Sequence, residues 1–236
     1  MDDRKLNNEE TEFPYSHNIW VFPILLVGIM WMVYLMEYLN GYNWNSLGIY
    51  PRSFEGLVGV FSGPFIHSSA NHLIHNSLPF FVLLSALIFF YREPWRWIFI
   101  LGLLSSGFMT WCFGREAYHI GASGVIYFLF GFLLCSGFIR RNKRLLTLAL
   151  GVCFLYGGMF WYIFPVDPSV SWEGHSSGLI AGLILALLFR KRGPQKSDFQ
   201  FERTEFDELF EEDGSLKESL PQDFVEESTT SDRDIE

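Results

Sequence analysis

Charge is scarce in this chain. Only 18% of its 236 residues are charged, against about a quarter in soluble domains, while half are hydrophobic and 18% aromatic, with 25 phenylalanines. The formal net charge of −9 therefore does not describe an ordinary acidic soluble protein. Residues 197–236 hold 15 acidic and 3 basic residues, and residues 1–196 hold 11 acidic and 14 basic, so the acidity belongs to a tail. No basic face exists, and no nucleic-acid partner is expected. Cysteine is scarce too. Cys112, Cys135 and Cys153 lie singly in apolar runs without CxxC or metal-ligand spacing. They read as small packing residues, with no disulfide framework, metal or cofactor implied. A cleavage site is also missing: no small-residue motif follows the first apolar run before Glu37 and Tyr38. That run reads as a retained span rather than a signal peptide.

What the chain has instead is long apolar runs. Six stretches, at 18–39, 71–91, 95–113, 121–139, 145–164 and 174–189, approach the 20 or so residues that cross roughly 30 Å of hydrocarbon as a helix. The expected fold is an all-α membrane protein, a bundle of six transmembrane helices in a lipid bilayer. Lys and Arg in the connections set its orientation. The N-tail, the 92–96 turn, the 140–144 turn and the 190–196 segment together hold twelve, and the alternate connections hold two, Arg52 and Arg115. Both termini are thus expected in the cytoplasm. The division expected is a cytoplasmic tail at 1–17, a six-span domain at 18–192 and an acidic, mostly disordered tail at 193–236 with a transient helix near 203–212. The last is open to a cytoplasmic partner. The first outer loop carries Leu57, Val58, Val60, Phe61, Phe65 and Ile66 close together, so it is expected to be semi-embedded, folded into the interface or onto the bundle.

Ionisable and polar residues inside a membrane are costly and mark functional candidates. Here they gather at one depth. The second run opens on His72 and Asn76, four residues apart and so on one helix face. The fourth opens on Gly121-Ala-Ser123-Gly124, and the sixth on Glu173-Gly174-His175. Ser123 heads its helix, where its own N–H has no intrahelical acceptor. A hydroxyl, two imidazoles and an amide at one level supply a nucleophile, a base and oxyanion donors for serine acyl transfer. No carboxylate is well placed to orient His175, which favours a Ser-His dyad. Gly174, Gly178, Gly182 and Ala186 form a small-residue stripe suited to close helix packing, and Tyr127 lies one turn below Ser123.

His67-(x)4-His72-Leu-x-x-Asn76, Gly121-Ala-Ser123-Gly124-Val-Ile-Tyr127 and Gly174-His175-x-x-Gly178-x-x-x-Gly182 together resemble the rhomboid intramembrane serine proteases. The resemblance covers roughly residues 18–190. It implies a rhomboid-like six-helix bundle and a serine endopeptidase that cleaves transmembrane protein substrates near the outer face through an acyl-enzyme. It makes Ser123 the nucleophile, His175 the base, and His72 and Asn76 oxyanion donors with the Ser123 N–H. Tyr127 would support the His175 ring, Gly121 would shape the oxyanion site, and Gly178 would let the helix of His175 pack. The chain departs in its first outer loop, where many rhomboids carry a Trp-Arg pair and Tyr50-Pro51-Arg52 stands here. His75 is a second departure and reads as structural, as does His67, while His119 lies near the dyad. Ser176 and Ser177 rank below Ser123. The resemblance suggests a bacterial inner membrane with the active site opening outward. The alternative is a catalytically silent, client-binding rhomboid-like protein; a small transporter or channel is disfavoured by the clustering at one depth.

Overall fold

A computed structural model describes residues 17–155, 161–194, 210, 211, 214, 215 and 217. The chain separates into two units, Met1–Lys196 and Ser197–Glu236. In the second, the described residues make a turn in which the Gly214 N–H donates to the Glu211 carbonyl. Most of the helix expected at 203–212 lies outside the described residues, as does nearly all of the N-terminal tail.

The first unit is built from helices: α1 (Asn18–Asn40), α2 (Gly59–Ser62), α3 (Ala70–Phe90), α4 (Trp95–Phe113), α5 (Ser123–Arg140), α6 (Lys143–Leu155) and α7 (Trp172–Leu188), with single 3-10 turns between some of them. α1, α3, α4 and α5 are long and apolar enough to cross a membrane; α7 is apolar but shorter. Of the run expected at 145–164, the part to Leu155 belongs to α6 and Trp161–Ile163 forms a 3-10 turn; 156–160 lie outside the described residues. The run expected from 121 becomes helix only at Ser123, because Gly121 has a left-handed φ of 98°. Bulky apolar side chains such as Ile24, Phe108, Phe154 and Leu188 stay exposed around the bundle, as suits helices solvated by lipid.

α5 is the central helix. In it 61% of the apolar window is buried, against 17% in the peripheral α1. α7 presses directly on α5: a Cβ on Gly178 would lie 2.0 Å from the Gly124 carbonyl oxygen, and one on Gly182 would lie 2.4 Å from that of Phe128. The small-residue stripe thus lets two backbones touch. On the other side the Phe128 ring fills the space left by Gly102 of α4.

The loop between α1 and α3 folds onto the bundle. α2 seats Val60 against Gly107 of α4. Ile49 and His119 exchange backbone hydrogen bonds of 2.9 and 2.8 Å as an antiparallel bridge. Arg52, at a φ of 58°, donates to the Gly114 carbonyl at 2.8 Å, and the Trp111 indole donates to the Ser53 carbonyl at 2.8 Å. Arg52 and Trp111 thus anchor the loop to the end of α4. At the far end of the bundle, Arg140 of α5 donates to the carbonyls of Phe189 and Arg192 beyond α7 and lies 5.2 Å over the Tyr91 ring beyond α3. α3, α5 and α7 are therefore tied together opposite the ends where His72, Ser123 and His175 sit.

Candidate active site

Gly121 is the pivot into α5. Its N–H donates to the Gly63 carbonyl at 2.9 Å. A Cβ there would stand 2.6 Å from Cε1 and 2.7 Å from Nε2 of His72, and 3.4 Å from Nδ2 of Asn76. With its φ of 98°, both conformation and space demand glycine. Ser123 follows as the first helical residue. The Ser123 and Gly124 N–H groups have no intrahelical acceptor, and Ala122 offers no side-chain cap.

α3 brings two polar side chains to this point. The Ser69 hydroxyl caps the helix by accepting from the His72 N–H at 3.2 Å. Asn76, one turn on, is buried, and its Nδ2 has no hydrogen-bond partner among the described residues. A buried donor left unpaired costs roughly 1–3 kcal/mol, so the fold retains it against its own stability. His72 is half-buried, its Nδ1 3.4 Å from the Ser68 hydroxyl.

α7 carries His175, which is buried. Its Nδ1 lies 2.8 Å from the Tyr162 carbonyl oxygen. A carbonyl can only accept, so Nδ1 carries the proton and Nε2 is left as the basic lone pair. The Tyr127 ring stacks on the imidazole with centroids 4.3 Å apart and planes 14° from parallel. His72, Asn76, Ser123, Tyr127 and His175 line one cavity of about 640 Å³. Gly121 and Gly178 stand behind it as the contacts that bring α3, α5 and α7 close.

The remaining candidates separate by their partners. The Ser176 hydroxyl donates to the Ile163 carbonyl at 2.8 Å and is committed there. His75 is exposed on the rim, its Nδ1 2.8 Å from the Asn71 carbonyl. His67 packs edge-on against His72 at 5.0 Å. Burial, reinforced by His72 and opposed by a bond to Phe65, lowers its pKa to about 4. Glu173 turns from His175 to Arg115, 3.7 Å away.

Sequence reasoning missed the linkage between the loops ahead of Ser123 and His175. His119 Nε2 donates to the Arg115 carbonyl at 3.1 Å, which leaves Nδ1 to accept from the Ser171 hydroxyl at 2.5 Å. The Ser171 oxygen in turn accepts from the Gly174 N–H at 3.3 Å, capping α7. Burial lowers the His119 pKa, which favours this neutral form. Arg115 braces the same loop by donating to the carbonyls of Pro168 and Val170, each at 2.9 Å.

Comparison with known proteins bears on the same segments. The family model for the Rhomboid domain matches residues 55–192. An uncharacterized protein of Mycobacterium tuberculosis H37Rv is 35% identical over 178 residues, spanning 70% of this chain and 72% of its own length. One of Mycobacterium leprae is 29% identical over 175 residues, spanning 70% and 69%. A protein of Acanthamoeba polyphaga mimivirus named as a rhomboid protein is 26% identical over 172 residues, spanning 70% and 88%. A match that takes in every helix from α2 to α7 and all the residues of the cavity assigns the chain plainly: it is an integral membrane protein of the rhomboid family.

Proposed function

We propose that this protein is an intramembrane serine endopeptidase that cleaves transmembrane-segment substrates with Ser123 as nucleophile and His175 as general base. The observation that carries the reading is the hydrogen bond from His175 Nδ1 to the Tyr162 carbonyl, which leaves Nε2 basic in the cavity that Ser123 also lines. This carbonyl takes the orienting part that a carboxylate plays in a triad.

In the proposed cycle the Ser123 hydroxyl gives its proton to His175 Nε2 as Oγ bonds to the scissile carbonyl carbon. The negative charge that develops on oxygen meets the Ser123 N–H, the Asn76 amide and His72. His72 turns its Nε2 edge to Gly121, and the tautomer in which Ser68 donates to Nδ1 gives that edge the N–H the oxyanion needs. The C–N bond breaks as His175 returns the proton to the leaving amine. Water then attacks the acyl-enzyme with His175 as base again. A substrate must unwind at the cut, because a helical carbonyl is engaged by its own backbone.

The six-span count, cytoplasmic termini and a cavity opening to the outer side of a bacterial inner membrane belong to the same proposal, supported by twelve basic residues in one set of connections against two in the other. So does a cytoplasmic partner for the acidic tail. The test is cleavage of a reconstituted transmembrane peptide together with labelling by a fluorophosphonate. Both should occur in the native protein and vanish in Ser123→Ala; cutting or labelling that survives the substitution overturns the assignment.

A further inference from the structure

Ser176 follows the proposed base directly along α7, and its hydroxyl points away from its own helix. A serine or threonine inside a helix commonly donates to the carbonyl one turn back. Ser77, Ser105 and Thr110 do so here, at 2.7, 2.6 and 2.9 Å to the carbonyls of Leu73, Leu101 and Ser106. Ser176 instead donates at 2.8 Å to the carbonyl of Ile163, 13 residues away and outside the helix. His175 beside it donates from Nδ1, also at 2.8 Å, to the carbonyl of Tyr162. Two consecutive residues of α7 thus hold two consecutive carbonyls of the Trp161–Ile163 turn.

The two bonds have different consequences. A carbonyl held only by the imidazole it is meant to orient would move with the ring and orient nothing. Among the described residues these are the hydrogen bonds that join the turn to α7, so Ser176 supplies the tie that does not involve the base. Ile163 is suited to receive it, because its side chain packs against the hydrophobic core. Tyr162 lines the cavity that Ser123 also lines, where an entering substrate would press on it. We propose that Ser176 is a positioning residue. By fixing the Ile163 carbonyl it keeps the Tyr162 carbonyl in register with His175 Nδ1 while the cavity fills, and Nε2 keeps its direction. The inference rests on the reading of His175 as base, and Ser176 itself touches no reacting atom.

The test compares Ser176→Thr with Ser176→Val in the full-length protein, two β-branched side chains of which only the first keeps the hydroxyl. A base that drifts from its productive geometry slows the chemical step and leaves ground-state binding alone. Ser176→Val should therefore lower kcat for a reconstituted transmembrane peptide by about tenfold with KM unchanged, while Ser176→Thr keeps the native kcat. Ser176→Ala repeats the measurement with an unbranched side chain, in case Ser176→Val does not fold. A second readout needs no turnover. With isotopically labelled histidine, the NMR signal of the His175 Nδ1–H is identified by its loss in His175→Ala. It should be sharp in the native protein and in Ser176→Thr, and broadened by exchange in Ser176→Val. Equal kcat and equal signals in the two variants overturn the proposal, and so does a change confined to KM or to Tm. Cleavage that survives Ser123→Ala strikes instead at the reaction itself, whereas an inactive Ser123→Ala beside a fully active Ser176→Val strikes at Ser176 alone.

Discussion

The starts of α5 and α7 lie side by side and are finished in opposite ways. At α7 the Ser171 hydroxyl caps the helix and accepts the Gly174 N–H, His119 holds that hydroxyl, and Arg115 braces the carbonyls just before it. At α5 the residue in the capping position is Ala122, which has no side-chain oxygen to give. The first-turn N–H groups stay uncommitted, and the Asn76 amide beside them is also unspent. A helix start without a cap forgoes about 1 kcal/mol, and an unpaired buried amide costs more. Under the proposed function the difference has a purpose. The helix that holds the base is fixed, and the helix that must receive a transient oxyanion keeps its donors free for it.

The largest effect that tests this contrast is loss of the reacting pair. Ser123→Ala and His175→Ala should each lower kcat/KM for a reconstituted substrate by at least about 10⁴-fold, measured by single-turnover cleavage. Ser123→Ala should leave the thermal midpoint almost unmoved, since Ser123 is only half-buried. Next is Asn76→Ala. It should cost roughly 10²–10³ in kcat, the range for one oxyanion donor, while stability holds or rises because a buried unpaired donor goes with it. A fall in Tm with kcat unchanged would instead make Asn76 a structural residue and remove the open character of the α5 start.

Much of this architecture can be read in the sequence because lipid imposes a simple code: apolar runs at 18–39, 71–91 and 95–113 coincide closely with α1, α3 and α4. The run at 174–189 likewise meets α7 at Trp172–Leu188, whereas that at 145–164 is described as α6 up to Leu155 and as a 3-10 turn at Trp161–Ile163, with 156–160 outside the described residues. The cavity residues share a depth, and depth follows from counting along helices. The Tyr162 carbonyl could not be foreseen, because every residue carries that group and only the tertiary fold selects one. The His119–Ser171 pair joins residues 52 apart, and Arg52 reaches Gly114 across 62; such long-range bonds leave no local periodicity. Arg140 shows the limit of charge counting. It counts as one more basic residue in a connection, yet it is buried against Tyr91 and the end of α7.

A third, smaller effect concerns the loop ahead of α3. His67, with its pKa lowered to about 4 by burial and by His72, stays neutral in the folded protein at pH values where the unfolded chain, titrating near 6.5, binds a proton. Stability should therefore be constant above pH 6.5, fall as pH drops towards 4, and level below, with a total loss approaching about 3 kcal/mol. Thermal midpoints against pH in detergent give the curve, and His67→Leu should flatten it. A slope that survives His67→Leu would show that other buried histidines contribute, and its loss on further substitution of His119 would place that part at the braced start of α7.

The smallest expected effect is the most direct test of the fixed start. Ser171→Ala removes the α7 cap and leaves His119 Nδ1 buried without its donor, for a combined loss of about 1–2 kcal/mol. Ser69→Ala removes only a cap, that of α3, and should cost about half as much. If the brace holds the base in register, Ser171→Ala should also lower kcat by about tenfold with KM unchanged, as expected when a reacting group drifts from its productive geometry. Ser171→Thr keeps the hydroxyl and should restore both quantities. Should kcat stay at the native value while Tm falls, the closed start of α7 serves stability alone, and the positioning of His175 rests on the Tyr162 carbonyl and the Tyr127 ring.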